Sequence, residues 1–219
     1  MKMGDDLMSR TMRTTRVIGL FAAMAAGAAM IGFGSVKPEA KVGEKAPNFT
    51  LVDVEGVEHT LSEYTEKGQT VVLEWFNPDC PFVKKYYRKD TGTMNALASE
   101  FKDQGVTWLR INSAREGHST TGEARLSKAV KQYNLQTPIL LDYKGEVGRT
   151  YGAKRTPEMY VVDSEGVLRY HGSMCSDKGG TNIGEEIFVR SAIEAVLAGE
   201  TVATSETKAF GCSIKYARP

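Results

Sequence analysis

Cysteine side chains are the groups of this sequence most able to do covalent chemistry, and there are three of them: Cys80, Cys175 and Cys212. Cys80 follows the apolar run VVLEWF at residues 71–76, which predicts a buried strand. Pro81 then favours the first position of a helix, so Cys80 is expected at the N-cap. There the backbone N–H groups and the helix dipole stabilise a thiolate, and Lys84 and Lys85 add positive potential about one turn later. This placement predicts a nucleophilic Cys80, and the alternative is a small buried apolar side chain.

An acidic residue interrupts the apolar run before this cysteine. Glu74 lies six residues before Cys80, inside VVLEWF. A carboxylate that is buried in its charged form is costly, so its pKa rises and it can exchange protons near neutral pH. The alternative is a glutamate at a strand end or sheet edge that reaches solvent. The pattern alone leaves both interpretations open.

The elements that must position these residues follow from hydrophobic periodicity. Strand patterns are predicted at residues 49–53, 57–61, 71–76, 106–111, 139–141, 159–162 and 167–170. Helical patterns are predicted from residue 81 to about 104 with a break near 91–93, then at 123–133 and 185–197. Strands and helices that alternate indicate a parallel sheet with two covered faces, and the late hairpin makes it mixed. The expected fold is α/β, with a central mixed sheet flanked by helices and an N-terminal β-hairpin extension.

The two ends of the chain differ from this domain in composition. A basic segment and an uncharged apolar run at residues 1–34 predict a signal peptide, or an uncleaved membrane anchor at residues 17–34. The remaining divisions are a linker (35–47), the main domain (48–200) and a tail without periodicity that carries Cys212 (201–219). The protein is therefore expected to be exported, to the periplasm or cell envelope, where thiols can form lasting disulfides. Contact with a membrane is expected only if the N-terminal segment is uncleaved.

Composition excludes several classes of function. A net charge of +1 gives no electrostatic basis for nucleic-acid binding. His59, His118 and His171 are scattered, with no cysteine or histidine at zinc-binding spacing, so no metal site is expected. The chain also lacks a flavin or nicotinamide motif, and we expect no cofactor. A reductant for its cysteines must then come from another protein.

Three segments together resemble a known family. The stretch VVLEWFNPDCPFVKKYY resembles the active-site strand and helix of thioredoxin-fold proteins, and most closely the AhpC/TSA-type, peroxiredoxin-like redoxins of secreted bacterial proteins. The segment TPEMYVVDSEGVLRYHG resembles the cis-proline strand and hairpin of that family, and FGCSIKY resembles a C-terminal signature of the subfamily. The resemblance covers residues 42–216. It implies a thioredoxin-like fold and a thiol-dependent oxidoreductase in which Cys80 attacks a protein disulfide or a peroxide, as in disulfide exchange or antioxidant defence.

The resemblance also implies roles for individual residues. Pro157 would be cis and face Cys80, with Thr156 beside it exposing backbone to pair with an extended substrate. Glu74 resembles the buried acid that assists proton transfer. Several aromatic residues lie near Cys80 in the sequence, and most of them are explained by core packing. Trp75 and Phe82 are candidates for the rim of a substrate groove.

Departures from the family pattern limit these implications. The position three residues after Cys80 is Val83, so a local CxxC disulfide is impossible. Peroxiredoxins carry Thr three residues and Pro seven residues before their reactive cysteine, where this chain has Asn77 and Leu73. The usual hydrogen bond to peroxide is therefore missing, and peroxidase activity by the standard geometry is in doubt.

A resolving thiol for Cys80 has two candidates. The predicted hairpin at 159–170 brings Cys175 back to the active-site end of the sheet, and the tail could fold Cys212 over the site. A structural bridge between Cys175 and Cys212 is a third pairing. A different class of function is also open, because Cys80, His171, Met174 and Cys175 form a soft ligand set for Cu(I). The protein would then be a non-catalytic thioredoxin-fold binding protein such as a copper carrier.

Overall fold

The computed structural model describes residues 39–218, and short strands and helices alternate along them. In chain order they are β1 (Thr50–Val52), β2 (Glu58–Thr60), α1 (Leu61–Thr65), β3 (Thr70–Trp75), α2 (Pro81–Tyr87), α3 (Thr93–Lys102), β4 (Val106–Asn112), α4 (Glu123–Tyr133), β5 (Ile139–Leu141), α5 (Glu146–Thr150), β6 (Arg155–Thr156), β7 (Met159–Val162), β8 (Leu168–Gly172), α6 (Phe188–Leu197) and β9 (Cys212–Ser213). The predicted signal or anchor at residues 1–34, and residues 35–38 of the predicted linker, lie outside the described residues.

A mixed five-stranded sheet in the order β5-β4-β3-β7-β8 forms the centre of the fold. Strands β3, β4 and β5 run parallel, whereas β7 lies antiparallel to both β3 and β8. All residues of β3 are buried, as expected of a central strand covered on both faces. β1 and β2 form the separate N-terminal hairpin. The predicted α/β, thioredoxin-like architecture is confirmed.

Alternation along β3 divides the hydrophobic core between the two faces of the sheet. Val72 belongs to the cluster that contains Cys80 and Phe76, whereas Leu73 and Trp75 belong to the cluster on the opposite face. Because successive side chains of a strand point to opposite faces, Glu74 lies on the Cys80 face. The site is therefore built between the sheet and α2.

The structure differs from the sequence prediction in several regions, and the short elements α1, α5 and β6 have no predicted counterpart. The last helix begins at Phe188 rather than at residue 185, because Glu186 is instead paired with Ser176 through main-chain and hydroxyl hydrogen bonds. The tail lacks periodicity and the sequence predicts no element in it, yet its residues Cys212–Ser213 pair with Arg155–Thr156. Such two-residue strands carry too little pattern for periodicity to detect.

The first described residues are tied to the sheet. The N–H groups of Gly43 and Ala46 donate to the carbonyls of Leu168 and Gly166, each at 2.8 Å. The helices found within residues 39–218 are all too short or too polar to cross a bilayer.

Candidate active site

Cys80 occupies the N-cap of α2, as its sequence context predicts. Its backbone is extended, and its carbonyl accepts hydrogen bonds from Val83 and Lys84 in the first helical turn, at 3.0 and 2.9 Å. Only 2% of the residue is exposed. The thiol donates to the carbonyl oxygen of Thr156, with an Sγ–O distance of 3.0 Å. The reactive cysteine candidate therefore faces the backbone of β6.

The peptide bond between Thr156 and Pro157 is cis, as the resemblance implies. Thr156 is 3% exposed, and no hydrogen-bond partner for its Oγ1 lies within the described part of the chain. The cis-proline segment thus lies directly beside the sulfur of Cys80.

Cys212 is the second thiol at this place. The antiparallel pairing of β6 with β9 sets Cys212 opposite Thr156, the residue whose carbonyl contacts Cys80. Burial is the largest influence on Cys212 and, together with the neighbouring Cys80, raises the pKa of its thiol to about 12. Cys212 therefore retains its proton near neutral pH. Both cysteines are free, so this arrangement is the dithiol form.

Cys175 makes its contacts elsewhere. It is buried, its Sγ lies 3.1 Å from the Tyr86 hydroxyl, and the N–H of Gly184 donates to it at 3.3 Å. Tyr86 lies six residues beyond Cys80, which is about 9 Å along a helix axis. The hairpin does return Cys175 to the core beneath α2, but its polar contacts are with Tyr86 and the loop after β8.

Glu74 lies in a buried polar network. Its carboxylate accepts from the Tyr87 hydroxyl at 2.8 and 2.6 Å and from Trp108 Nε1 at 2.9 Å, and Arg110 Nε lies at 3.5 Å. Burial is the largest influence and raises the pKa of Glu74, although Arg110, Tyr87 and Trp108 oppose that shift. The prediction of a buried glutamate is confirmed, and the solvent-reaching alternative is wrong. Its hydrogen bonds do not reach Cys80.

Sequence reasoning assigned no role to Arg110, which completes this network. It is fully buried, and its guanidinium also donates to the Tyr87 hydroxyl and to the carbonyl of Thr137, at 2.8 and 3.1 Å. Arg110 lies directly opposite Glu74 in the register of β3 with β4. The period-two pattern of β4 was the available signal, since it places Arg110 on the same face as Trp108.

The two lysines after Cys80 have different surroundings. Lys84 is exposed, whereas Lys85 is buried and its ammonium donates to Asp177 Oδ1 at 3.1 Å and to the carbonyl of Gly179 at 2.7 Å. Asp177 offsets the charge of Lys85. The expectation that Lys85 adds free positive potential at Cys80 is therefore wrong, and Lys85 instead fastens the loop after β8 to α2.

An ion pair that the sequence analysis missed fixes the loop before Cys80. Asp79 accepts from Arg125 of α4, at 2.6 Å to Nη2 and 3.2 Å to Nε. This hydrogen bond is the largest influence on Asp79 and lowers its pKa. The hydroxyl of Tyr133 also donates to the carbonyl of Pro78 at 2.7 Å. Both contacts attach α4 to the residues that lead into the cysteine.

One of the two aromatic residues predicted to line a substrate groove does not lie near Cys80. Trp75 is fully buried on the sheet face opposite Cys80, and its Nε1 donates to Ser113 Oγ at 3.0 Å. The prediction for Trp75 is therefore wrong, because strand alternation turns it away from the site. Phe82 is half-buried and packs against the cluster that contains Cys80.

Glu158 is a further residue that sequence reasoning missed. One carboxylate oxygen accepts from the N–H groups of Lys154 and Arg155, at 2.7 and 2.8 Å, and the other binds His171 Nε2 at 2.8 Å. Glu158 thereby fixes the turn that presents β6 to Cys80. Its position directly after Pro157 was the only available signal.

The soft ligand set proposed for Cu(I) is not assembled. His171 contacts Glu158, Cys175 contacts Tyr86, and Met174 is 1% exposed within the core. Within residues 39–218, no cluster of three or more His, Cys, Asp or Glu side chains is arranged to hold a metal ion.

Comparison with known proteins gives consistent matches. The sequence model of the AhpC/TSA family matches residues 42–171. Thiol-disulfide oxidoreductase ResA of Geobacillus kaustophilus (strain HTA426) is 31% identical over 160 residues, which are 72% of this chain and 83% of that protein. A hypothetical protein of Sinorhizobium meliloti 1021 superimposes with a TM-score of 0.73 at 29% identity, covering 83% of this chain and 97% of that one. Peroxidoxin BcpB of Mycobacterium tuberculosis shares the fold, with a TM-score of 0.52 at 19% identity over 73% of this chain and 96% of its own.

Proposed function

Since the chain belongs to the AhpC/TSA family and is a thiol-dependent oxidoreductase, we propose that Cys80 is its nucleophile and Cys212 its resolving thiol. The observation that carries this proposal is that Thr156 joins the two cysteines: its carbonyl accepts from the Cys80 thiol, and it pairs with Cys212 between β6 and β9. A disulfide requires its two cysteines to lie close together, and the pairing of β9 with β6 brings Cys212 to the backbone that Cys80 contacts. Cys175 is assigned no step, because its contacts are with Tyr86 and Gly184.

With a disulfide substrate, the reaction proceeds in two exchanges. The Cys80 thiolate attacks one sulfur of the substrate disulfide, forming a mixed disulfide and releasing the other sulfur as a thiolate. Cys212 then loses its proton and attacks Cys80, which forms the Cys80–Cys212 disulfide and releases the second substrate thiolate. The substrate disulfide is reduced by two electrons and the pair of cysteines is oxidised by two.

A peroxide leads to the same disulfide. The Cys80 thiolate attacks the peroxide oxygen, giving a sulfenic acid and releasing the alcohol or water after protonation. Attack by Cys212 then expels hydroxide, which leaves as water. Another protein with a dithiol must reduce the disulfide to complete the cycle. We place this chemistry outside the cytoplasm, on the basis of the signal-like segment at residues 1–34.

The first prediction concerns the resolving thiol. Reduced wild-type protein given one equivalent of hydrogen peroxide should form a Cys80–Cys212 disulfide, found as one linked peptide by mass spectrometry. Cys212→Ser should instead stop with Cys80 as a sulfenic acid that a dimedone reagent traps, because no thiol remains at the cis-proline segment beside it.

The matched control is Cys175→Ser, which removes the other buried thiol. This variant should form the Cys80–Cys212 disulfide at the wild-type rate, since Cys175 is engaged by Tyr86. The opposite pattern, closure in Cys212→Ser and none in Cys175→Ser, would contradict the proposal.

The second prediction concerns pH. Burial keeps the pKa of Cys212 above its ordinary value even after oxidation of Cys80 has removed that neighbouring charge. Cys212 is then mostly protonated at neutral pH, so its thiolate fraction and the rate of disulfide closure should rise roughly tenfold per pH unit from about pH 6 to 8. Rapid quenching of singly oxidised protein measures this step. A closure rate that stays constant over this range would contradict the assignment.

A nearby charge offers a variant for the same measurement. The exposed ammonium of Lys215 lowers the pKa of Cys212. Lys215→Met should therefore move the rise in closure rate to higher pH and slow closure at neutral pH. Lys208→Met, an exposed lysine of the same tail, should leave the profile unchanged.

A further inference from the structure

The C-terminal segment reaches Cys80 along a fixed path. Residues 205–207 lie beside β8, where His171 N–H donates to the Ser205 carbonyl and Thr207 N–H donates to the His171 carbonyl, each at 3.0 Å. Residues 210–214, called here the docked segment, then cross the cis-proline turn. The N–H of Ile214 donates to the carbonyl of Lys154 at 3.2 Å, next to the pairing of β9 with β6.

A close backbone approach characterises the docked segment. A Cβ placed on Gly211 would lie 2.1 Å from the carbonyl oxygen of Thr156, so this position accepts only glycine while the segment is docked. Cys212 follows directly and lies opposite Thr156, whose carbonyl accepts from the Cys80 thiol. The docked segment is thus an extended Gly-Cys strand held by the main chain of β6.

An aromatic anchor fastens the end of the tail. The Tyr216 hydroxyl donates to the carbonyl of Ala153 at 2.8 Å, and the Arg149 guanidinium lies 4.7 Å from its ring. The ring fills space above two glycines, since a Cβ on Gly145 or Gly148 would lie 2.4 or 2.3 Å from Tyr216 atoms. This anchor lies outside the pair of cysteines, so it can be changed separately from them.

We infer that the docked segment occupies the surface through which a partner protein reaches Cys80, and that the partner presents an extended strand with glycine directly before its cysteine. The inference rests on the proposed function of Cys80. Pairing along the edge of a strand is a general mode of peptide recognition, and β9 already satisfies the edge of β6 in this way. The same close contact with Thr156 that selects Gly211 in the tail would select glycine in the partner.

The tail must therefore leave before protein exchange. Cys80 is 2% exposed beneath the docked segment, so an extended strand cannot pair with β6 while β9 is in place. If only a fraction of the molecules has the tail released, the apparent affinity for a partner is reduced by that fraction. Releasing the tail should accelerate exchange with a peptide disulfide and favour peptides that match the docked segment.

The test follows formation of mixed disulfides on Cys80 by mass spectrometry, in the full chain with Cys212→Ser so that the adduct accumulates. Tyr216→Ala removes the anchor, and Gly211→Ala makes a clash with Thr156, so the two variants release the tail at different points. Lys208→Ala changes an exposed tail residue and is the matched control.

Three disulfide probes distinguish docking from simple uncovering. They are the disulfide dimer of the peptide KAFGCSIKYA (residues 208–217), the same dimer with the glycine before cysteine changed to valine, and hydroxyethyl disulfide. We expect both release variants to react at least about tenfold faster than the control with the glycine peptide. The valine peptide and hydroxyethyl disulfide gain only from the uncovering of Cys80 and should gain at least about threefold less than the glycine peptide, because neither pairs with β6.

Each other outcome is decisive. An equal gain with all three probes, or no gain with any, would overturn the inference while leaving Cys80 a reactive thiol. A failure of Cys80 to form an adduct with any probe in any variant would overturn the proposed function, and the inference with it.

Discussion

Replacing Cys80 with serine should lower the rate of disulfide exchange by at least about a thousandfold, the scale seen when a nucleophile is removed from an enzyme. The thiolate is the attacking species in these reactions, and a serine hydroxyl is not ionised near neutral pH. Cys212 also lies at the cis-proline segment, but burial raises the pKa of its thiol, so it does not replace the nucleophile. Reduction of insulin disulfides by dithiothreitol, and consumption of hydrogen peroxide, measure the loss.

The control for this prediction separates chemistry from folding. Cys175→Ser replaces a cysteine that is as buried as Cys80, at 1% and 2% exposure, and should keep the rate within about threefold. Circular dichroism should show both variants folded. Loss of activity in Cys175→Ser with activity kept in Cys80→Ser would reverse the assignment of the nucleophile.

Local patterns were sufficient to predict the frame of the site. The apolar run that forms β3, the Pro81 helix start and the regular helix α4 all lie where periodicity places them. These features depend on residues close in sequence, so propensity and burial act together. Cys80 at an N-cap and Glu74 in the core follow from the same patterns.

The position of Cys212 could not be derived from such patterns. Its partner residue Thr156 is 56 residues away in sequence, and β6 and β9 are two-residue strands without their own periodicity. Side-chain contacts of the tail, such as the Tyr216 ring above Gly148, depend on the folded surface. Sequence reasoning therefore left Cys175 and Cys212 as equal candidates, and only the assembled backbone distinguishes them.

The positions of Trp75 and Arg110 both follow from strand alternation, which the sequence already contains. Strand alternation in VVLEWF already separates Trp75 from the Cys80 face, because Glu74 and Phe76 take that face. The same alternation applied to β4 puts Arg110 beside Trp108, facing the glutamate. A buried acid predicts a buried partner, since an isolated charge in the core is costly.

The buried pair of Glu74 and Arg110 carries the largest expected effect on stability. Arg110 is fully buried, and the positive charge of a buried guanidinium group needs a nearby anion. Glu74→Ala removes that anion and should lower the free energy of unfolding by about 3–5 kcal/mol, as when one partner of a buried ion pair is deleted. Urea denaturation of the reduced protein measures the loss.

A double variant tests whether the uncompensated charge is the cause. Glu74→Leu with Arg110→Leu removes both charges and should be more stable than Glu74→Ala, because no buried charge is left without a partner. Glu100→Ala breaks the exposed contact of Glu100 with Arg190, 2.6 Å long, and should change stability far less because solvent screens such pairs. The single variants Glu74→Leu and Arg110→Leu complete the comparison. If the double variant lost at least as much stability as the two single variants together, Glu74 would contribute through packing with Tyr87 and Trp108 rather than through Arg110. If both single variants also kept the rate of disulfide exchange in their folded fraction, Glu74 would be a structural residue and the proton-transfer role implied by the resemblance would be wrong.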